Sequence, residues 1–183
     1  MILPISGVNN DGKITNSDKN LTVPLHGFTR IGGTGPNISD PMLLPNNATF
    51  AFMIGHGSYL EIILEIADKA EHSQEFQPSL VIQMIRLDDA GQWTIKSHII
   101  HQDGEEEWDN KTLEALLQKG DIFCALVNFY KDHVVEHFTI GKATENITHC
   151  SSMGQSNLLY AHIRPGQHSD AFQMSRDFNC WEG

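Results

Sequence analysis

Residues 59–67, YLEIILEIA, put Leu60, Ile62, Leu64 and Ile66 on one side and Glu61, Ile63, Glu65 and Ala67 on the other. One side is wholly apolar and the other carries charge, the pattern of a strand that covers a core and presents its second face to water or a ligand. An amphipathic helix over residues 59–71 is the competing reading, because Leu, Glu and Ala all favour helices. Residues 80–87 form a second apolar run beyond a polar loop at 71–78, and Asp88-Asp89-Ala90-Gly91 marks a tight turn that delivers Trp93 to the next strand, 94–102. Further on, residues 47–54, 122–130 and 133–140 read as strands, the last two as a hairpin across Lys131-Asp132, and 157–164 and 170–181 close the chain. Two polar stretches read otherwise. Residues 103–121 predict a loop with one or two helical turns over 112–119, ended by Gly120, and residues 142–155 predict a loop. About nine or ten short strands with hairpin turns and almost no helix predict an all-β, antiparallel two-sheet sandwich. Its core is expected from Phe50, Phe52, Leu60, Ile62, Leu64, Val81, Phe123, Ala125, Val127, Phe138 and Leu159.

Composition narrows the function. The 183 residues suffice for one domain with a core of its own, preceded by an extension or peripheral hairpin over residues 1–20. A net charge of −11 and no cluster of Lys and Arg argue against a nucleic-acid partner. No apolar stretch reaches the roughly 20 residues of a membrane span, and residues 1–20 lack the charged start and apolar centre of a signal peptide. Cys124, Cys150 and Cys180 are odd in number with no close pair, so all three are expected as thiols, Cys124 in the core, and neither a zinc site nor another cofactor is implied. His133 and His137 share a strand face some 13 Å apart, too far for one metal. The glycines of residues 30–37, RIGGTGPN, form a turn, since a phosphate loop needs a following helix and a Lys-Ser/Thr. Glu105, Glu106 and Glu107 are adjacent and point in different directions, which suits a solvated turn better than paired acid chemistry. Five Asn-x-Ser/Thr sequons, at Asn20, Asn37, Asn47, Asn110 and Asn146, are more than the chain's twelve asparagines would supply by chance. They fit a secreted or viral surface protein; turn-rich β-proteins also use Asn, Ser and Thr freely in loops.

The segments NATFAFMI, YLEIILEIADKA, SLVIQMIRLDDAGQW, LLQKGDIFCALVNFYKDHVV and LLYAHIRPGQHSDAFQM follow one another in an order that resembles the galectins over residues 21–183. NATFAFMI followed by YLEIILEIADKA resembles the pair in which an F-x-F-x-L strand precedes the L-H-F-N-P-R strand. SLVIQMIRLDDAGQW resembles the strand, turn and glycine-x-tryptophan step that follow. LLQKGDIFCALVNFYKDHVV and LLYAHIRPGQHSDAFQM resemble the later hairpin and the closing strands. The resemblance implies a galectin-like jelly roll and a non-enzymatic carbohydrate-binding domain that recognises a glycan or glycoprotein, with specificity altered or lost. On the family's sugar signature, Glu65 stands for the histidine, Ala67 for an asparagine, Lys69 for the arginine, Arg86 for the second asparagine and Lys96 for the glutamate. Only Trp93 is kept, as the ring that would stack on the sugar. The expected site is therefore Trp93 surrounded by Glu65, Lys69, Arg86 and Lys96, with Arg86 or Lys96 suited to an acidic sugar. The alternative is the receptor-binding head of a viral attachment protein, and either form is compatible with a homo-oligomer. The corresponding locations are extracellular or cytoplasmic without a signal peptide, or the virion surface. An enzyme ranks last, because no nucleophile elbow, paired-acid motif or metal set is present.

Overall fold

The computed structural model describes residues 27–53, 59–68, 77–86, 91–115, 121–156 and 158–180. The expected extension at residues 1–20 and Lys69 lie outside them. In chain order the described strands are β1 (Thr29–Ile31), β2 (Met42–Leu44), β3 (Asn47–Met53), β4 (Leu60–Ala67), β5 (Leu80–Arg86), β6 (Gln92–Ile100) and β7 (Glu106–Glu114). They continue with β8 (Ile122–Phe129), β9 (His133–Ile140), β10 (Ala143–Cys150), β11 (Leu159–Pro165) and β12 (Phe172–Ser175), with one 3-10 turn at Met153–Gln155. Two six-stranded sheets result, in the orders β1-β12-β3-β8-β9-β10 and β2-β11-β4-β5-β6-β7. Every pairing is antiparallel. This is the sandwich that the alternation predicts.

The inner faces meet in one apolar core. Phe50 and Phe52 of β3 and Phe123, Ala125 and Val127 of β8 face Leu60, Ile62, Leu64 and Ile66 of β4 and Ile82 and Met84 of β5. Each large aliphatic or aromatic side chain buried there stabilises the fold by about 1.5–3 kcal/mol. β4 is a strand along residues 60–67, which removes the helical reading of that segment. Val81 is corrected: it lies half-exposed on the outer side of β5, one residue out of phase with Leu80, Ile82 and Met84.

Three expectations about elements also change. The segment expected as loop and helix contains β7, and the helix expected at 112–119 fails at Thr112, Leu113 and Glu114, which are in that strand; residues 116–120 lie outside the described residues. The loop expected at 142–155 contains β10. Both are outermost strands with few buried positions, one in β7 and two in β10, so their sequences lack a continuous apolar stripe. Of the strand expected over 170–181, Phe172–Ser175 is strand among the described residues, and Trp181 lies outside them.

The cysteines are corrected too. Cys124 is buried as expected, but it is joined to Cys180 in a disulfide, and Cys150 is an exposed thiol. The bond fixes the C-terminal segment against the outer side of the first sheet, where Phe28, Ala51, Met53 and Cys124 form a second apolar cluster with Cys180 packed on it. Spacing gives no hint of this pairing, since 56 residues separate the two cysteines. Among the described residues no helix is long and apolar enough to cross a membrane.

Candidate functional site

Strand parity decides which predicted site residues meet. On β6, Trp93, Ile95, Ser97 and Ile99 point inward, whereas Thr94, Lys96, His98 and Ile100 point outward. Lys96 is three residues from Trp93 and so falls on the opposite face. Trp93 is 0% exposed, its ring 4.7 Å from that of Phe123, and its indole nitrogen has no hydrogen-bond partner among the described residues. Arg86, opposite Trp93 in the β5–β6 ladder, is also inward and buried, its guanidinium 5.8 Å from the centre of the indole ring. The expected arrangement is thus corrected. Trp93 and Arg86 belong to the core layer, Glu65 and Lys96 to the outer surface of the second sheet, and Lys69 is outside the described residues.

That outer surface nevertheless carries a polar, aromatic-bearing array. Register places His162, Glu65, Val81, His98 and Trp108 in one row across β11, β4, β5, β6 and β7. The next row is Arg164, Ile63, Gln83, Lys96 and Asn110. Arg164 donates to Glu65 Oε1 from Nε at 3.2 Å and from Nη2 at 2.8 Å. Glu61 accepts from Tyr59 Oη at 2.6 Å and from Gln83 Nε2 at 3.3 Å, and the Tyr59 hydroxyl is pushed up to about 12, chiefly by that bond to Glu61. These ties hold the side chains in fixed positions. At the β7 end, Trp108 is 56% exposed and stacks on His98 with ring centres 3.8 Å apart and planes within 9°. Its indole N–H donates to Glu106 Oε2 at 3.4 Å. Sequence reasoning missed Trp108 because it treated EEEWDNK as a turn; the signal was the outward triplet Glu106, Trp108, Asn110, at strand spacing.

A second polar group bridges the sheets. Ser97 of β6, Glu107 of β7, Glu136 of β9 and His149 of β10 form a chain in which Ser97 Oγ lies 2.7 Å from Glu136 Oε1 and 2.8 Å from His149 Nε2. His149 Nδ1 lies 2.9 Å from Glu107 Oε1. The serine, histidine and carboxylate have the spacing of a nucleophilic triad. Ser97, His149 and Glu136 are nevertheless fully buried, so no substrate carbonyl reaches the hydroxyl. Two proton arrangements satisfy the chain. A neutral Glu136 donates to Ser97, which donates to His149 Nε2; or a charged His149 donates to Ser97, which donates to ionised Glu136. Desolvation pushes the Glu136 carboxyl up to about 8, against the lowering effect of the hydrogen bond with Ser97. Its role is structural: a hydrogen-bonded polar link between the sheets where the apolar core gives out, with Glu136 Oε2 left without a partner among the described residues.

No family model matches this chain, and no curated protein sequence matches it. Among solved structures it is similar to LamAcat from Zobellia galactanivorans, with 7% identity and a TM-score of 0.48 over 73% of this chain and 62% of that one. The chain therefore spans under two thirds of that protein's length. It is similar to a glycoside hydrolase family 16 endo-glucanase from Bacteroides ovatus, at 8% identity and a TM-score of 0.46 over 73% of this chain and 67% of that one. It is also similar to sheep galectin-11, at 12% identity and a TM-score of 0.45 over 79% of this chain and 98% of that one. At these identities the likeness is one of sandwich architecture, and the fold reading rests on the strand order itself.

Proposed function

We propose that this chain is a non-enzymatic glycan-binding module whose site is the outer surface of the second sheet, centred on Trp108 and extending over His98, Lys96, Asn110 and Glu65. The exposed, stacked Trp108 carries the reading. A pyranose offers one apolar C–H face and a rim of hydroxyls, and an aromatic ring beside positioned polar groups matches both. Four acids, Glu61, Glu65, Glu106 and Glu114, share this surface with the cations Lys96 and Arg164, so a neutral sugar fits it better than a sialylated one. Hydrolysis is the less supported activity. Glu61 and Glu65 are four residues apart on one strand, about 13 Å between Cα atoms, and each is held by its own partners. A glycosidase needs two carboxyl groups within roughly 5–9.5 Å across one bond.

A glycan array probed with the purified chain tests the reading. Binding to neutral glycans that Trp108→Ala abolishes, with no release of reducing sugar, is the expected result. Binding that survives Trp108→Ala would move the site elsewhere, and turnover of a bound glycan would make the chain an enzyme. The second reading, a viral or secreted receptor-binding head, is favoured by the Cys124–Cys180 disulfide, because such bonds persist in oxidising surroundings.

A further inference from the structure

The four sequons within the described residues all present an exposed asparagine, and three of them, at Asn47, Asn110 and Asn146, lie in strands. Use of Asn, Ser and Thr to build loops does not account for these three. In a strand the asparagine and the hydroxyl residue two positions on share a face, so Asn146 and Thr148 both point outward from β10, an edge of the first sheet, and both are exposed. The Asn146 side chain is held through Oδ1, which is hydrogen-bonded to His137 Nδ1 of the neighbouring strand. N-glycosylation uses the other atom, Nδ2, and leaves the carbonyl oxygen free to keep accepting from His137. Asn146 also lines a depression of about 380 Å³, with Leu126, His137, Phe138, Thr139 and Thr144 as its other walls. That volume falls at the lower end of small-molecule sites, roughly 300–1,000 Å³. The Cys124–Cys180 bond adds an independent observation, because disulfides form in the compartment where sequons are modified.

We propose that Asn146 carries an N-linked glycan whose first sugar residues lie in this depression, over Leu126 and Thr144. In the transfer, C1 of the oligosaccharide leaves a lipid pyrophosphate donor and bonds to Nδ2. The C1–O bond to pyrophosphate breaks, the lipid pyrophosphate departs, and the Nδ2 proton passes to a base of the transferase. The depression gives the occupant: Asn146 is one of its walls, so a sugar attached there starts at its rim. A glycan at this position also covers the open edge of β10, which carries few charges to deter pairing with another chain. The proposal concerns the outer side of the first sheet; Asn110, which carries a sequon and belongs to the glycan-binding surface proposed above, is on the second.

The full chain, secreted from cultured eukaryotic cells behind a cleavable leader, provides the test. Peptide mapping should find the 146 sequon occupied, Asn146→Gln and Thr148→Ala should each remove one glycan from the intact mass, and Thr148→Ser should keep it. Secreted chain with an unmodified Asn146 overturns the modification. Seating is read separately in a chain whose other sequons carry Asn→Gln. Material trimmed to the first N-acetylglucosamine should melt a few degrees, about 2–4 °C, above the same chain made with glycosylation inhibited. Equal melting temperatures overturn the seating.

Discussion

Trp93 and Trp108 separate two roles that one residue type can play. Both are on strands of the second sheet, yet one side of that sheet is an interior and the other meets water. Trp93→Ala should destabilise the fold by about 3–5 kcal/mol in urea unfolding, since it empties the space between Phe123 and Arg86. Trp108→Ala should change stability by no more than about 0.5–1 kcal/mol, because over half of its surface is already in water. The reverse order would place the proposed platform in the core. Parity alone was enough to exclude a common face for Trp93 and Lys96, and for Arg86 and Glu65, so this part of the site was legible. The galectin-like order of motifs points the other way, because it matches whole strands without regard to the alternation within each. Glu136 was not legible at all: HVVEHFTI contains a charge at an inward position, and only the facing Ser97 and His149 explain it. Its carboxyl, held near 8 in the fold against an ordinary 4.5, contributes stability fully below pH 4.5 and loses it as pH rises toward 8. Urea midpoints measured from pH 5 to pH 9 should therefore fall through this window. The groups facing it are Ser97 and His149, with Asp109 adding like charge. Glu136→Gln, which stays neutral and can still hydrogen-bond Ser97, should flatten the fall; an unchanged pH profile would assign the slope to another group.

At the scale of elements, the central strands were readable and the outermost ones were not. β3, β4, β5, β8 and β9 lie within their sheets, so burial of one side enforces the period of two that the sequence displays. β7 and β10 close the same end of the sandwich, one on each sheet, and pack against each other with few apolar residues. Their cohesion comes instead from ladder hydrogen bonds and from the Ser97, Glu107, Glu136 and His149 chain. No hydrophobic period announces such a strand. The turn after β10 is tighter than its sequence suggests: a Cβ built on Gly154 would fall 2.0 Å from the Tyr130 carbonyl oxygen, so the 3-10 turn lies directly on the β8–β9 hairpin. Gly154→Ala has to push backbone apart and should cost roughly 1–3 kcal/mol, the range for overpacking a close contact. Gly141→Ala, where a Cβ meets nothing within 4 Å but φ is +57°, should cost less, about 1 kcal/mol. Chemical denaturation of both variants compares contact with conformational strain, and an equal loss would deny Gly154 its packing role.

Across the whole molecule, the disulfide changes how the domain holds together. Cys124 is in β8, in the middle of the first sheet, and Cys180 is near the end of the chain, so the bond encloses β9, β10, β11 and β12 in one covalent loop. The segment between β12 and Cys180 is held noncovalently as well: Phe178 packs on Phe28 with ring centres 5.7 Å apart, and Arg176 Nη1 donates to the Leu43 carbonyl at 2.9 Å. Arg176 thereby links the edge strand β2 of the second sheet to the segment that leaves the first, its guanidinium 5.4 Å from the Phe50 ring. Under denaturing conditions without reductant, alkylation should find one thiol, Cys150, and three after reduction. Three thiols in both samples would remove the bond. Closing a loop of this size typically stabilises a small domain by about 2–4 kcal/mol, mainly by restricting the unfolded chain. Cys180→Ser should lower stability by that amount and leave the strand signal intact in circular dichroism, because the main core between the sheets contains neither cysteine. Hydrogen exchange then locates the loss. If the clamp protects only the small cluster of Phe28, Ala51 and Met53, faster exchange in Cys180→Ser should be confined to β1, β12 and the outer strands they touch, while amides of β4 and β5 keep their protection. Faster exchange throughout both sheets would make the disulfide a condition of the whole sandwich.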